Sequence, residues 1–301
     1  MVSRPEVSVI LPTMDEEYVF RLIKDMRRVL GRKAEIIVVD KSSTAYFNKL
    51  KKTGARILRQ KDRGVENAIM LGLRNANGSI LASVDADGTH DISGIGKGVA
   101  MIRNGSADFV IGNRLNGLEK GSMGFNIRLG NAILSRLYSR LYRARVHDVL
   151  SGLFVMRRDA FEEIRSVDPY RAGIAFFAIE LARRGYRIGE VDIRYYRRRY
   201  GESKLANSKF AYGLGVASHL VRQIRDYSPL LIFGGAGIIL VIAGIGLGIA
   251  VLVNFIGTGV FGGIGRALLA FLLVVVGFLL IIAGFIIDLL LEIERHVSKP
   301  R

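Results

Sequence analysis

Two stretches near the end of the chain, Pro229–Val253 and Ala267–Leu291, run almost without charge. Each has roughly 25 residues, enough to cross a bilayer with some tilt. In hydrocarbon a backbone must satisfy its own polar groups, so such stretches have to be helices. The one ionisable residue inside either is Asp288. The connection Asn254–Gly265 is uncharged and bordered by Arg266, whereas Arg222, Arg225, Arg295, Lys299 and Arg301 flank the opposite ends. By the positive-inside rule the hairpin enters from the cytosol and returns to it. Gly244 and Gly248 form a Gly-xxx-Gly pair, which permits close helix contact within the hairpin or in a homodimer.

The preceding residues read differently. With 44 Lys+Arg against 27 Asp+Glu, the net charge of +17 falls on this part and its junction with the apolar tail. An anionic partner is expected: a nucleotide, lipid headgroups or nucleic acid. There is no cysteine, hence no disulfide and no thiolate metal site. Met1–Pro5 lacks the apolar core of a secretory signal, and this part is expected in the cytosol.

Strand and helix patterns alternate. Val7–Leu11 is a short strand stopped by Pro12, Glu16–Leu30 a helix ending at Gly31, Glu35–Asp40 a buried strand and Ala55–Leu58 a third. Glu66–Asn75 is a helix, Ser79–Val84 and Ala107–Ile111 are strands, and Ile127–Tyr142 is a helix with a basic face. Val149–Met156 is apolar, Ala175–Arg184 helical and Tyr186–Tyr196 strand-like. The alternation predicts an α/β domain with a mostly parallel sheet. Leu205–Tyr227 mixes apolar, aromatic and basic residues, as in a helix lying in a membrane interface or packed on the domain. The expected domains are 1–204, 205–228 and 229–301.

Asp85-Ala86-Asp87 closes the strand Ser79–Val84. Two carboxylates at a strand's carboxyl end enter the crevice where open α/β sheets bind ligands. They are costly to bury unpaired, and a divalent cation with phosphate oxygens would satisfy both. Other motifs fail. Asp91–Lys97 approximates a phosphate loop but lacks its first glycine and the Ser/Thr after lysine, and no Gly-x-Gly-x-x-Gly follows the first strand. His90, His147, His219 and His296 share no zinc-like spacing, although His90 is placed to line a site beside Asp87.

Seven ordered motifs carry a resemblance: Leu11–Glu16, Val38–Ser43, Arg63–Ala68, Asp85–Asp87, Gly112–Arg114, Asp148–Gly152 and Arg198–Leu205. Over about residues 6–205 the chain resembles the family-2 glycosyltransferases of the GT-A fold, a Rossmann-like architecture. It is most similar to the polyprenyl-phosphate sugar synthases of the dolichyl-phosphate mannose synthase type. The resemblance implies an inverting enzyme that moves one hexose, mannose from GDP-mannose first, to a polyprenyl phosphate at the cytosolic membrane face. It implies Mg²⁺ or Mn²⁺ on Asp85 and Asp87, and no nucleic acid. Pro12, Thr13, Met14, Glu16, Val39, Asp40, Lys41, Asp85, Ala86, Asp87, Arg114, Arg198 and Lys204 would bind the nucleotide sugar. Arg128 and Asn131 would meet the acceptor phosphate, and Asp87, Arg114 and Arg128 would carry catalysis.

Two residues depart from the family pattern. Lys41 stands where an aspartate usually reads the base, and an ammonium cannot accept from a base N–H. Met14 replaces a tyrosine. A donor with another base, such as UDP-glucose or UDP-GlcNAc, stays open for that reason. So does a non-catalytic nucleotide-binding scaffold. A processive polysaccharide synthase should carry Gln-x-x-Arg-Trp, and this chain has no tryptophan.

Overall fold

The computed structural model describes residues 5–31, 34–62, 64–142, 145–166, 173–198, 229–259 and 263–297. The segment 205–228 and Lys204 lie outside the described residues. The chain divides into two compact units, Met1–Leu214 and Gly215–Arg301.

The first unit is a seven-stranded sheet with helices between its strands. In order it runs β1 (Val7–Thr13), α1 (Val19–Leu30), β2 (Glu35–Asp40), α2 (Thr44–Lys51), β3 (Arg56–Arg59), α3 (Val65–Asn75) and β4 (Ile80–Ser83). Then follow α4 (Ser93–Arg103), β5 (Phe109–Asn113), α5 (Phe125–Tyr142), β6 (Phe154–Arg157), α6 (Arg158–Ile164), α7 (Gly173–Arg183) and β7 (Ile188–Asp192). The strand order is β3-β2-β1-β4-β6-β5-β7. All pairings are parallel except those of β6, which is antiparallel to β4 and β5. β1 and β4 are neighbours although two strands separate them in the chain, so the order reverses there. This is the switch point at which α/β sheets open a ligand crevice beyond the carboxyl ends of their strands.

β1 continues through Pro12, two residues beyond its expected end. The Lys41 N–H donates to the Thr13 carbonyl, so odd-numbered residues of β1 face β2 and even-numbered ones face β4. β4 ends at Ser83, opposite Ile10. Pro12 therefore lacks its N–H on the side where no strand remains to receive it. α1 begins at Val19 rather than Glu16, because Asp15 turns left-handed at φ 51° and donates its N–H to Ser42 Oγ at 2.6 Å.

Three helices, α2, α4 and α6, were not visible in the sequence pattern. α2 is short and capped by Ser43, whose Oγ accepts the Tyr46 N–H. α4 contains the glycines that imitate a phosphate loop, and the first of them, Gly94, is a packing glycine instead, as is Gly98 one turn further on. A Cβ on Gly94 would fall 2.4 Å from Ile193 Cγ2, and one on Gly98 2.7 Å from Val155 Cγ2. Of the apolar run Val149–Met156, only the end from Phe154 is strand.

The second unit is an antiparallel pair, α8 (Pro229–Thr258) and α9 (Ile264–Val297), each longer than expected. Both are long and apolar enough to cross a membrane. Glycines let the backbones meet: a Cβ on Gly237 would lie 2.5 Å from the Gly277 carbonyl oxygen, and one on Gly244 2.8 Å from that of Ala270. Of the Gly-xxx-Gly pair, Gly244 is thus used inside the hairpin, while Gly248 sits no nearer than 4.0 Å to Ala270 Cβ.

Gly72 and Gly96 make a paired test of packing. Both are interior to helices, where Ala is favoured by about 1 kcal/mol. A Cβ at Gly72 would strike Ile10 at 2.5 Å, a fully buried side chain, whereas Gly96 has nothing within 4 Å. Overpacking costs about 1–3 kcal/mol. Gly72→Ala should therefore lower the thermal unfolding midpoint of the solubilised protein, and Gly96→Ala should raise it.

Candidate active site

The crevice is built from the loops leaving β1, β2 and β4. Ala86 and Val39 are buried and anchor two of these loops in the core, while Thr13 is buried at the end of β1. Met14 is exposed in the loop that leaves β1. Asp40 is fully buried and spent within its loop: Oδ1 accepts from the Ser42 N–H at 3.1 Å and from the Ser42 hydroxyl, and Oδ2 accepts from Arg59 Nη1 at 3.0 Å. Lys41 Nζ donates to the carbonyls of Lys61, at 3.2 Å, and Asp62, pinning the loop before α3.

Asp85 and Asp87 leave β4 in different environments. Asp87 Oδ1 accepts from the Thr89 N–H at 3.1 Å and Oγ1 at 2.7 Å, a tight turn that fixes the carboxylate. Its Oδ2 lies 3.8 Å from Arg198 Nη1. Arg198 also donates to Glu16, so one guanidinium joins the loop after β1 to the loop after β4.

Asp85 accepts no hydrogen bond among the described residues. Its carboxylate fits against Gly152, where a Cβ would come within 2.3 Å of Oδ2. Lost hydration, with Asp87 adding like charge, pushes its pKa up to about 7. His90 Nδ1 is 3.8 Å away but gives no compensating charge, because burial and then Arg114 push the imidazole pKa down to about 4. His90 also packs edge-on against Tyr195, with centroids 5.1 Å apart. A carboxylate with no protein donor, beside a second one, suits a hard divalent cation that takes its other ligands from phosphate and water. Among the described residues no group of three or more His, Cys, Asp or Glu forms a fuller metal cage.

Arg114, at the end of β5, is clamped by Asp148. Its N–H and Nε donate to Asp148 Oδ2 at 2.9 and 2.7 Å, and Nη2 donates to Oδ1 at 2.8 Å. Asn131 of α5 donates to the same Oδ1. Burial alone would raise the Asp148 pKa, but Arg114 and Asn131 hold it below the ordinary carboxylate range. Burial would likewise lower that of Arg114, and Asp148 keeps it above its usual value. The Arg114 guanidinium lies 5.4 Å from the Tyr195 ring centroid. With Nε and Nη2 turned to Asp148, the Nη1 edge keeps its two hydrogens for a ligand.

The structure gathers Glu16, Asp85, Asp87, Arg114 and Arg198 around one crevice. Arg128 is exposed on α5 and joins no ion pair among the described residues. Asn131 is buried against Asp148. The sequence reading assigned no role to Asp148, Gly152 or Tyr195. The first two stand in the motif Asp148–Gly152, which was their only signal.

The clamp makes a stability prediction. Removing one partner of a buried pair strands the other and costs about 3–5 kcal/mol. Asp148→Asn should therefore lower the unfolding free energy by about 3 kcal/mol. Because Asp148 titrates lower in the folded state, its contribution is present above the unfolded pKa of about 4 and is lost as pH falls through the folded value. Wild type should weaken more than Asp148→Asn on acidification, measured as unfolding midpoints across pH.

Comparison with known proteins adds to this geometry. The model of glycosyl transferase family 2 matches residues 8–165. A dolichyl-phosphate hexose transferase of Haloferax volcanii is 30% identical over 219 residues, covering 72% of this chain and 93% of the relative. The glycosyltransferase AglJ of the same organism is 26% identical over 83% of this chain and 82% of its own. The dolichol-phosphate mannosyltransferase of Pyrococcus furiosus is 29% identical over 214 residues, covering 66% of this chain and 59% of the relative. The crystal structure of mannosyl-3-phosphoglycerate synthase from Rubrobacter xylanophilus shares the fold, with TM-score 0.55 and 18% identity over 73% of this chain and 74% of that one. Family match, fold and crevice agree: the chain belongs to glycosyl transferase family 2 and is a glycosyltransferase.

Proposed function

We propose that this protein transfers one hexose from a nucleoside diphosphate sugar to a polyprenyl phosphate at a membrane surface. The observation that carries the lipid acceptor is the two-sided character of α5. Asn131, Leu134, Ser135 and Tyr138 are buried on one side. On the other, Phe125 is 74%, Leu129 47% and Ile133 56% exposed, at i, i+4, i+8 spacing. Arg128, Arg136 and Arg140 are exposed along the same helix. An apolar stripe edged with arginines suits an anionic lipid surface. The relatives named for dolichyl-phosphate transfer and the apolar hairpin support the same reading.

The chemistry follows from the residues present. An acceptor phosphate is already an anion near neutral pH and needs no general base. Its oxygen attacks the anomeric carbon from the face opposite the donor diphosphate. The bond from that carbon to the diphosphate breaks, and the nucleoside diphosphate leaves with the electron pair and inversion. Arg114 through its Nη1 edge and Arg198 would meet the growing negative charge, so the protein works by positioning and charge neutralisation. Asp85 and Asp87 would hold Mg²⁺ or Mn²⁺, which supplies Lewis-acid neutralisation of the diphosphate. Pro12, Thr13, Met14, Glu16 and Lys41 would frame the nucleoside. Val39, Asp40 and Ala86 would act by shaping that frame, since their side chains are buried. Arg128 would receive the lipid phosphate and Asn131 would hold Asp148. GDP-mannose is the donor to try first. The arginines flanking the hairpin support a cytosolic position for the catalytic unit, and a homodimer would need a surface outside the glycine seam.

Purified protein given polyprenyl phosphate, Mn²⁺ and labelled sugar nucleotides should move label into lipid. Asp87→Ala should lose transfer by about 100-fold or more. Transfer from a UDP-sugar alone would reassign the base; transfer from none would overturn the reading. The membrane contact has its own test, because the chain contains no tryptophan. Phe125→Trp should be quenched by brominated lipids in reconstituted bilayers. Val29→Trp, at the end of α1 on the amino-terminal edge of the sheet, should not.

A further inference from the structure

Asp148 is held from two sides. Arg114 and Asn131 grip its carboxylate, and Glu190 grips its backbone. Glu190 stands on β7, paired with Ile111 of β5, so it rises from the strand beside the one that delivers Arg114. Its Oε1 accepts the N–H of His147 at 2.8 Å and of Asp148 at 3.0 Å, and its Oε2 lies 2.7 Å from His147 Nδ1. The Glu190 side chain is 11% exposed, and that of His147 71%. A mostly buried carboxylate thus spends itself on two consecutive backbone donors of a loop. Such a bond costs desolvation, and the loop gains a fixed place.

We infer that Glu190 is a positioning residue for glycosyl transfer: it sets the 147–148 backbone so that Asp148 aims the Arg114 Nη1 edge into the crevice. This rests on the reading of Arg114 given above. The requirement is acceptor geometry rather than charge. A glutamine offers an oxygen in the same place for both N–H groups, and its amide can donate to His147 Nδ1. An aspartate keeps the charge but is one methylene too short to reach both donors. Alanine is the less informative change. A polar cavity of about 420 Å³, lined by Glu190, His147, Arg145, Asn113, Asn116 and Asp192, adjoins the site and would let water replace the lost acceptor.

The test is a cycle in the full chain, reconstituted in bilayers. Glu190→Gln, Glu190→Asp, Arg114→Gln and Glu190→Asp/Arg114→Gln are compared by kcat and KM for the sugar nucleotide. Binding of GDP and of UDP with Mn²⁺ is measured by calorimetry in parallel. Glu190→Asp is expected to lose about 10-fold or more in kcat, with donor KM changed less, while Glu190→Gln keeps most of the turnover. The double variant should be no slower than Arg114→Gln, because both act through one guanidinium. Glu190→Gln falling below Glu190→Asp, or additive losses in the cycle, would overturn the inference. Should wild type transfer from no donor, the function reading fails alone. The same order must then appear in nucleotide affinity, and its absence would overturn the inference as well.

Discussion

The arrangement depends on one buried ion pair, Arg114 with Asp148. Taking both charges out of water is expensive, and Coulomb attraction repays it only with good geometry and full hydrogen bonding. Here the carboxylate accepts the backbone N–H, Nε and Nη2 of Arg114 and the amide of Asn131. The pair therefore ties the end of β5 to α5 and to the loop before β6. Glu190 adds β7 to the same knot. The carboxyl-edge half of the sheet beyond β4 is organised around this joint. β6 could not serve, because it runs antiparallel and its carboxyl end points away from the crevice.

The net charge of the chain and the charge of its crevice have opposite meanings. The chain is strongly basic, yet Glu16, Asp85 and Asp87 converge at the crevice floor with Arg198 between two of them. An acidic floor repels a bare diphosphate and welcomes one that arrives with a cation. The raised pKa of Asp85 and the neutral His90 state the same imbalance from the protein's side. The surplus of positive charge then serves elsewhere, along α5 and other exposed faces, where an anionic surface would be met.

How much of this was legible depends on what kind of physics placed each residue. The two apolar helices and strands such as Glu35–Asp40 follow from local pattern and appeared where expected. Asp85-Ala86-Asp87 was readable because the preceding strand fixes where it emerges. Asn131 was expected to meet the acceptor and is instead buried on Asp148, a partner 17 positions later that no periodicity announces. Glu190 was invisible for a related reason: its role comes from two backbone N–H groups, which have no sequence. Gly152 matters through the side chain it lacks. Gly94 of α4 looks like part of a phosphate loop for another reason, since packing against Ile193 calls for the same residue that such a loop would.

Pro12 shows what a missing donor does at the mouth of a site. β1 projects past the end of β4, and a strand edge left unpaired there is the kind of template on which other backbones build. An extended peptide, or an overgrown β4, would need the N–H of residue 12 to continue the ladder. There is none. The rim of the crevice is thereby protected from strand addition, and the space beyond β4 stays available to small molecules rather than to polypeptide.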